Sequence, residues 1–170
     1  MQPRSCRPIA AAILALLSHH AMASTEDEPA DGLINAMRLK AGTIERVGNS
    51  GKAIQAYMRE GFVGRRPNRR DGYTDYYLLK RPARLMGHEL VLIEEEYQVE
   101  FIGCCVNDGV GVTLRVDGST EDVEAFAEQN GCRVETEVDF QEKIARVGIK
   151  AKVAKGNYLS LSCRVNDTNP

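Results

Sequence analysis

The run from 89 to 116, ELVLIEEEYQVEFIGCCVNDGVGVTLRV, constrains this chain most, because its pattern leaves little choice but sheet. Side chains on a strand alternate between two faces. Here the odd positions Val91, Ile93, Tyr97, Val99 and Phe101 are apolar, with Glu95 the exception. The even positions pass from Leu90 and Leu92 to Glu94, Glu96, Gln98 and Glu100. One face is therefore expected in the core and the other wet and acidic. No Gly or Pro interrupts residues 88–102. A single strand of that length would span about 50 Å, against a usual length of about 5–6 residues, so a bend, bulge or reversal is expected near 94–98. Asn107-Asp108-Gly109 is the stronger turn signal. After it, Val110, Val112, Leu114 and Val116 alternate with Gly111, Thr113 and Arg115, which predicts an antiparallel hairpin with one buried face.

The cysteines bear on compartment. Residues 1–23 read as a cleaved signal peptide: Arg4 and Arg7 supply a basic start, residues 9–17 an apolar stretch, and Ala21-Met22-Ala23 a small-x-small cleavage site. The apolar stretch is too short to span a bilayer, and Cys6 leaves with the leader. Four cysteines remain, Cys104, Cys105, Cys132 and Cys163. An even number in an exported chain predicts disulfides. A bond between adjacent Cys104 and Cys105 would close a strained ring. The expectation is therefore two bridges joining that pair to Cys132 and Cys163, in either order. A redox or metal pair is the competing reading, but there is no C-x-x-C and His88 is the sole histidine after the leader.

Around this centre the chain divides into a flexible lead-in at 24–31, a single α+β domain at 32–166 and a flexible tail at 167–170. A helix is expected over 32–47, with Asp31 as cap and Leu33, Ala36, Met37, Ile44 and Val47 as its apolar face. A second runs over 51–60, capped by Ser50, burying Ala53, Ile54, Tyr57 and Met58 and ending at Gly61. Residues 73–80, YTDYYLLK, form a strand candidate ended by Pro82. Ser119-Thr120-Glu121-Asp122 resembles a capping box opening a crossover helix with Val123, Phe126 and Ala127 inward. Gly131 ends that helix, and the strand CRVETEV follows. Residues 140–145 are ambiguous. Val147, Ile149, Ala151 and Val153, then Leu159, Leu161, Cys163 and Val165, predict a second hairpin about a turn at 155–157. The architecture expected is an antiparallel sheet with N-terminal helices and one crossover helix, the helices on one side.

The chemistry legible here is mostly negative. Nucleophilic triads would need His88, with no serine or free thiol implicated. Glu94, Glu96 and Glu100 could serve a cation or acid–base work, as many exposed strand carboxylates could. No phosphate-binding glycine loop is present. No cofactor, metal or catalytic residue is assigned, and an enzyme is the less favoured class. The positive signal is segregated charge. Arg65-Arg66-Pro67-Asn68-Arg69-Arg70 forms a basic loop, whereas acids gather at 94–100 and 119–142. The whole chain has a net charge of −2, and losing the leader's two arginines makes it more acidic still. That balance and the lack of any accompanying motif argue against nucleic acid; no stable membrane anchor is expected. Arg65, Arg66, Arg69, Arg70, Tyr73, Tyr76 and Tyr77 are the candidate protein-binding residues, since Arg and Tyr combine contact area with directional polar groups. The bland alternative is a solvated loop paired with Glu94, Glu96 and Glu100. The function expected is a periplasmic or secreted protein-binding module, such as an inhibitor or toxin-immunity protein. A small envelope enzyme using the strand carboxylates, or an apolar-ligand carrier, are the alternatives.

Overall fold

A computed structural model describes residues 27–96 and 109–168. The leader, Cys104, Cys105 and Glu100 lie outside them. The described chain is α+β: four helices and an antiparallel sheet of seven strands. Its elements in order are α1 (Asp27–Met37), α2 (Ser50–Arg59), β1 (Arg69–Asp71), β2 (Thr74–Leu78), β3 (Arg84–Leu85), β4 (His88–Glu96), β5 (Gly109–Arg115), α3 (Glu121–Gln129), β6 (Arg133–Glu135), α4 (Phe140–Arg146) and β7 (Tyr158–Arg164).

The central run supplies β4 and β5, paired antiparallel from Glu89↔Arg115 to Glu96↔Gly109. The sheet order is β1-β2-β4-β5-β7-β6, with β3 beside the start of β4. β5 and β6 are each antiparallel to β7, so they run parallel to one another with β7 between them. The expected crossover through α3 is thus present, but split by a later strand. The turn from β3 to β4 is a two-residue reversal at Met86 and Gly87, both with positive φ (49° and 80°), the conformation that matches hairpin twist.

Helices cover both faces of the sheet, not one. On the first face, Leu33, Met37, Ile54 and Tyr57 from α1 and α2, with Val123 and Ala127 from α3, pack against Ile93, Val112, Leu114 and Leu161. On the second, Phe140 and Ile144 of α4 join Ile149 around Leu92 and Tyr158. Asp139 caps α4 by accepting the Glu142 N–H at 2.8 Å, satisfying one of the amides a helix start leaves free. The expectation of one buried face on β5 fails for this reason: Gly111 and Thr113 are buried as well as Val110, Val112 and Leu114.

Three local expectations also change. The first helix begins at Asp27, inside the stretch read as lead-in, and stops at Met37. Residues 38–48 turn back as a strap, with Leu39 opposite Arg46. The strap is held by Asn130, whose Oδ1 accepts the Leu39 N–H, and by Arg46, which donates to the carbonyls of Met37 and Asn130 at 2.6 and 2.7 Å. Ile44 and Val47 are accordingly exposed, not on a helix face. The second predicted hairpin does not form. Both edges of β7 are occupied by β5 and β6, so residues 147–153 cannot join its ladder. They pack Val147, Ala151 and Val153 against the second core instead, and the Gln141 amide donates to the Ala151 carbonyl at 3.0 Å. Asp167, assigned to a flexible tail, folds back in a 3-10 turn (Val165–Thr168) and accepts hydrogen bonds from Ser162 and the Arg164 N–H.

The expected disulfide scheme is contradicted. Cys132 and Cys163 are bonded to one another, so neither is available to Cys104 or Cys105. Gly131 delivers Cys132 to the start of β6, and Cys163 stands at the end of β7, with the two Cα atoms 4.4 Å apart. Elimination from sequence failed because it treated the adjacent cysteines as the obligatory partners. Nothing local reveals that β6 and β7 are neighbours.

Candidate functional site

Two charged regions distinguish the surface and its underside. The first is built from the strand glutamates. A register shift between Leu90 and Leu92 lets Val91 bulge, and a bulge reverses the parity of everything after it. Leu90 and Ile93 therefore share the first face, while Leu92, Glu94 and Glu96 share the second. Glu94 lies opposite Tyr76 on one side and Gly111 on the other. It is 6% exposed, not wet as expected.

Burial of this carboxylate is tolerable because two cations meet it. Lys143 Nζ from α4 stands 2.7 Å from Oε1, and Arg164 from β7 donates to Oε2 at 3.0 Å. Gly111 leaves the room: a Cβ there would lie 3.3 Å from the Arg164 guanidinium and 3.4 Å from Glu94 Oε2. Lys143 also donates to Ser160 Oγ at 2.8 Å, and Arg164 to Ser162 Oγ at 2.9 Å. Burial pushes the Glu94 carboxyl up, but the charges and hydrogen bonds of Lys143 and Arg164 outweigh it and hold it below the usual carboxylate range. Glu96 accepts from Thr74 Oγ1 at 3.2 Å. Glu95 points to the opposite face and accepts from Ser50 at 3.2 Å. A cleft of about 340 Å³ opens over Glu94, bounded by Tyr76, Val138, Lys143 and Arg146. Its floor is an ionised, doubly paired carboxylate, which is poorly suited to act as an acid or base.

Sequence reasoning missed Lys143, Arg164 and Asp167. A signal existed for the first: Asp139-Phe140-Gln141-Glu142 opens a helix with Phe140 and Ile144 on one side, placing Lys143 beside that apolar stripe. For Arg164, at the end of an alternating run, no signal identified Glu94 as its partner.

The second region is the basic hairpin. Arg65 and Arg66 lie in the approach to β1, and Arg69, Arg70 and Asp71 form it, all of them exposed. Gly72, with φ of 56°, opens the turn to β2, and Tyr73 at its tip is 39% exposed. The seven sequence candidates divide here. Arg65, Arg66 and Arg69 make no ion pair with any described residue, and the Arg69 guanidinium lies 3.8 Å from where a Gly148 Cβ would stand. Arg70 is committed: it grips Asp75 through two bonds of 2.7 Å, a bidentate pair. Tyr77 is buried in the first core, where its hydroxyl contacts Asp75 at 3.4 Å. Burial first, then the charges of Asp75 and Glu95, push that hydroxyl's pKa up. Tyr76 is half-buried beside Glu94, and burial together with that carboxylate raises it too. The candidate patch therefore contracts to Arg65, Arg66, Arg69 and Tyr73. The bland alternative, the loop arginines neutralising the strand acids, does not hold for Glu94, whose partners are Lys143 and Arg164, or for Glu96, which accepts from Thr74 and lies 4.0 Å from Arg164 Nε, while Glu100 lies outside the described residues.

His88 is structural. It is 2% exposed, and its Nδ1 accepts the Asp117 N–H at 3.0 Å. Among the described residues no group of His, Cys, Asp and Glu could hold a metal ion. A second cleft, of about 350 Å³, lies between Leu78, Val91, Phe140, Ala151 and Tyr158. The Cys132–Cys163 bond fits a non-cytoplasmic, oxidising setting, and no described helix is long and apolar enough to cross a membrane.

Fold and site together define a disulfide-bonded, split-crossover α+β domain with a buried ion-pair centre and a basic sheet edge. No protein-family description, curated protein or solved structure matches this chain.

Proposed function

We propose that this is an exported protein-binding module, periplasmic or secreted, that engages an acidic surface of its partner through the β1 hairpin. An inhibitor or a toxin-immunity protein is the concrete form of this reading. One observation carries it: Arg65, Arg66 and Arg69 stay exposed without ion pairs among the described residues, while Glu94 and Glu96 are engaged by Lys143, Arg164 and Thr74. A cation cluster left unspent in an acidic protein steers association with an oppositely charged partner. The enzyme alternative loses support at Glu94, which is held ionised between two cations. The carrier alternative has only the cleft beside Phe140, whose volume sits at the lower end of the roughly 300–1,000 Å³ range of ligand pockets.

The test is kinetic. Partners are captured from the native envelope with the mature chain, then association is measured at low and moderate salt. Arg65, Arg66 and Arg69 are replaced together by Ser, and Arg70 is left in place because it holds buried Asp75. Slower association by about tenfold or more at low salt, with a flatter salt dependence and unchanged circular dichroism, supports the reading. Unchanged rates at both salts reject this surface.

A further inference from the structure

We infer that β1 is a docking edge, to which an acidic, extended segment of the partner adds as a further strand of the sheet. This rests on the basic surface proposed above and specifies how that surface is used.

The argument begins with topology. β1 is the terminal strand of the sheet, and its outer side pairs with no other described strand. A strand edge presents unpaired N–H and C=O groups to whatever can align with them. All three residues of β1 are exposed, and no described helix or loop is placed over that edge as a strand partner. A shallow hollow of about 580 Å³ is lined by Arg66, Pro67 and Asn68, which lead into the strand, and by Arg69 and Arg70 of β1 itself. Backbone hydrogen bonding would give such a complex its affinity, and the flanking side chains its selectivity.

Charge selects the occupant. A second copy presenting its own β1 would set arginine against arginine, and like charges directly across a strand pair are destabilising. An acidic segment meets Arg65, Arg66 and Arg69 with opposite charge. The other terminal strand contrasts with this one: at β6, Arg133 is turned to Asp167 at 3.6 Å, and exposed Glu135 and Glu137 follow. The two ends of the sheet therefore do not offer the same surface, and the basic end alone suits an acidic strand.

The experiment uses the mature chain and two synthetic probes. One is the acetylated, amidated nonapeptide ETETETETE. The other has the same sequence with alternate amides N-methylated, so that charge is retained but one hydrogen-bonding edge is lost. Affinity is measured at low salt, with amide hydrogen exchange of residues 66–71 followed in parallel. Strand addition predicts that the first peptide slows exchange at 66–71. It predicts that N-methylation weakens binding by about tenfold or more, as loss of two or so hydrogen bonds requires. It also predicts that replacing Arg65, Arg66 and Arg69 by Glu abolishes binding without altering circular dichroism. Equal affinity for the two peptides overturns strand addition while leaving the charged surface standing. Failure of both peptides to bind overturns strand addition and the basic surface together. Self-association of the protein alone, abolished by the same triple replacement, assigns the edge to a second copy and also overturns the inference.

Discussion

Replacing Glu94 by Gln tests whether the buried ion-pair centre has the energetics argued for it. The side chain keeps its shape but loses its charge, leaving the Lys143 ammonium and the Arg164 guanidinium 2.7 and 3.0 Å away without their common counter-ion. Breaking a buried pair by removing one partner costs about 3–5 kcal/mol. The Lys143 side chain is 24% exposed and the Arg164 side chain 13%. Lysine can therefore regain some hydration, and the expected loss is at the lower end, about 3 kcal/mol. For a chain of 170 residues this corresponds to a fall of roughly 6–12 °C in melting temperature. Lys143→Met should cost less, about 1–2 kcal/mol, because Arg164 still pairs the carboxylate and the lost pair was partly wet. The pH dependence follows from the sign of the shift. The folded pKa of Glu94 is depressed, so its stabilisation is complete above the ordinary glutamate value, about 4.3. It is lost as pH falls through the lower, folded value. Urea unfolding followed by circular dichroism at pH 7, 5, 4 and 3 gives both quantities. Wild type should lose stability more steeply below pH 5 than Glu94→Gln does. A loss under 1 kcal/mol at pH 7, or equal slopes for the two proteins, would refute the reasoning.

Three further outcomes are expected. Peptide mapping without reduction should recover Cys132 linked to Cys163, and replacing both by Ser should cost about 3.5–4 kcal/mol for their sequence separation of 31; recovery of either cysteine linked to Cys104 or Cys105 would contradict the fold. Gly109→Ala should leave little folded protein in a thermal melt, because its φ is 141° and a Cβ would stand 2.6 Å from the Cys163 carbonyl and 2.7 Å from the Arg164 Cα, backbone atoms of β7 that cannot step aside. Ile144→Ala should cost about 2–5 kcal/mol by urea unfolding, since this residue is fully buried and fastens α4 over Leu92.

Legibility in the sequence followed the range of the interactions. The pairing of β4 with β5, the buried stripe of α2 at Ala53, Ile54 and Tyr57, and the inward face of α3 were readable because period and turn residues are local signals. The second core was not. Reading Glu94 and Glu96 as a wet face treated charge as proof of exposure, whereas two cations remote in sequence made burial possible. A one-residue bulge at Val91 also moved Leu90 to the other side, and no residue in the run announces it. Val147 to Val153 alternates well enough for a strand, but a strand needs an open edge and β7 had none to offer. For the binding surface, composition located the arginines, yet it could not separate Arg70, which grips Asp75, from Arg65, Arg66 and Arg69, nor distinguish core Tyr77 from exposed Tyr73.

The split crossover also governs the order in which this molecule can be assembled. β7 follows every other described strand in the chain, yet it lies between β5 and β6. While residues 27–157 alone have emerged, β5 carries one edge without a described strand and β6 has no strand partner among the described residues. Cys132 likewise waits for its partner until residue 163 arrives. The sheet thus cannot be completed from its N-terminal end forward. Its last piece is an interior one, and until that strand is inserted the chain is an acceptor for any strand that reaches β5 first. Completion of the sheet, and of the Cys132–Cys163 bond, therefore has to wait for the last strand of the described chain.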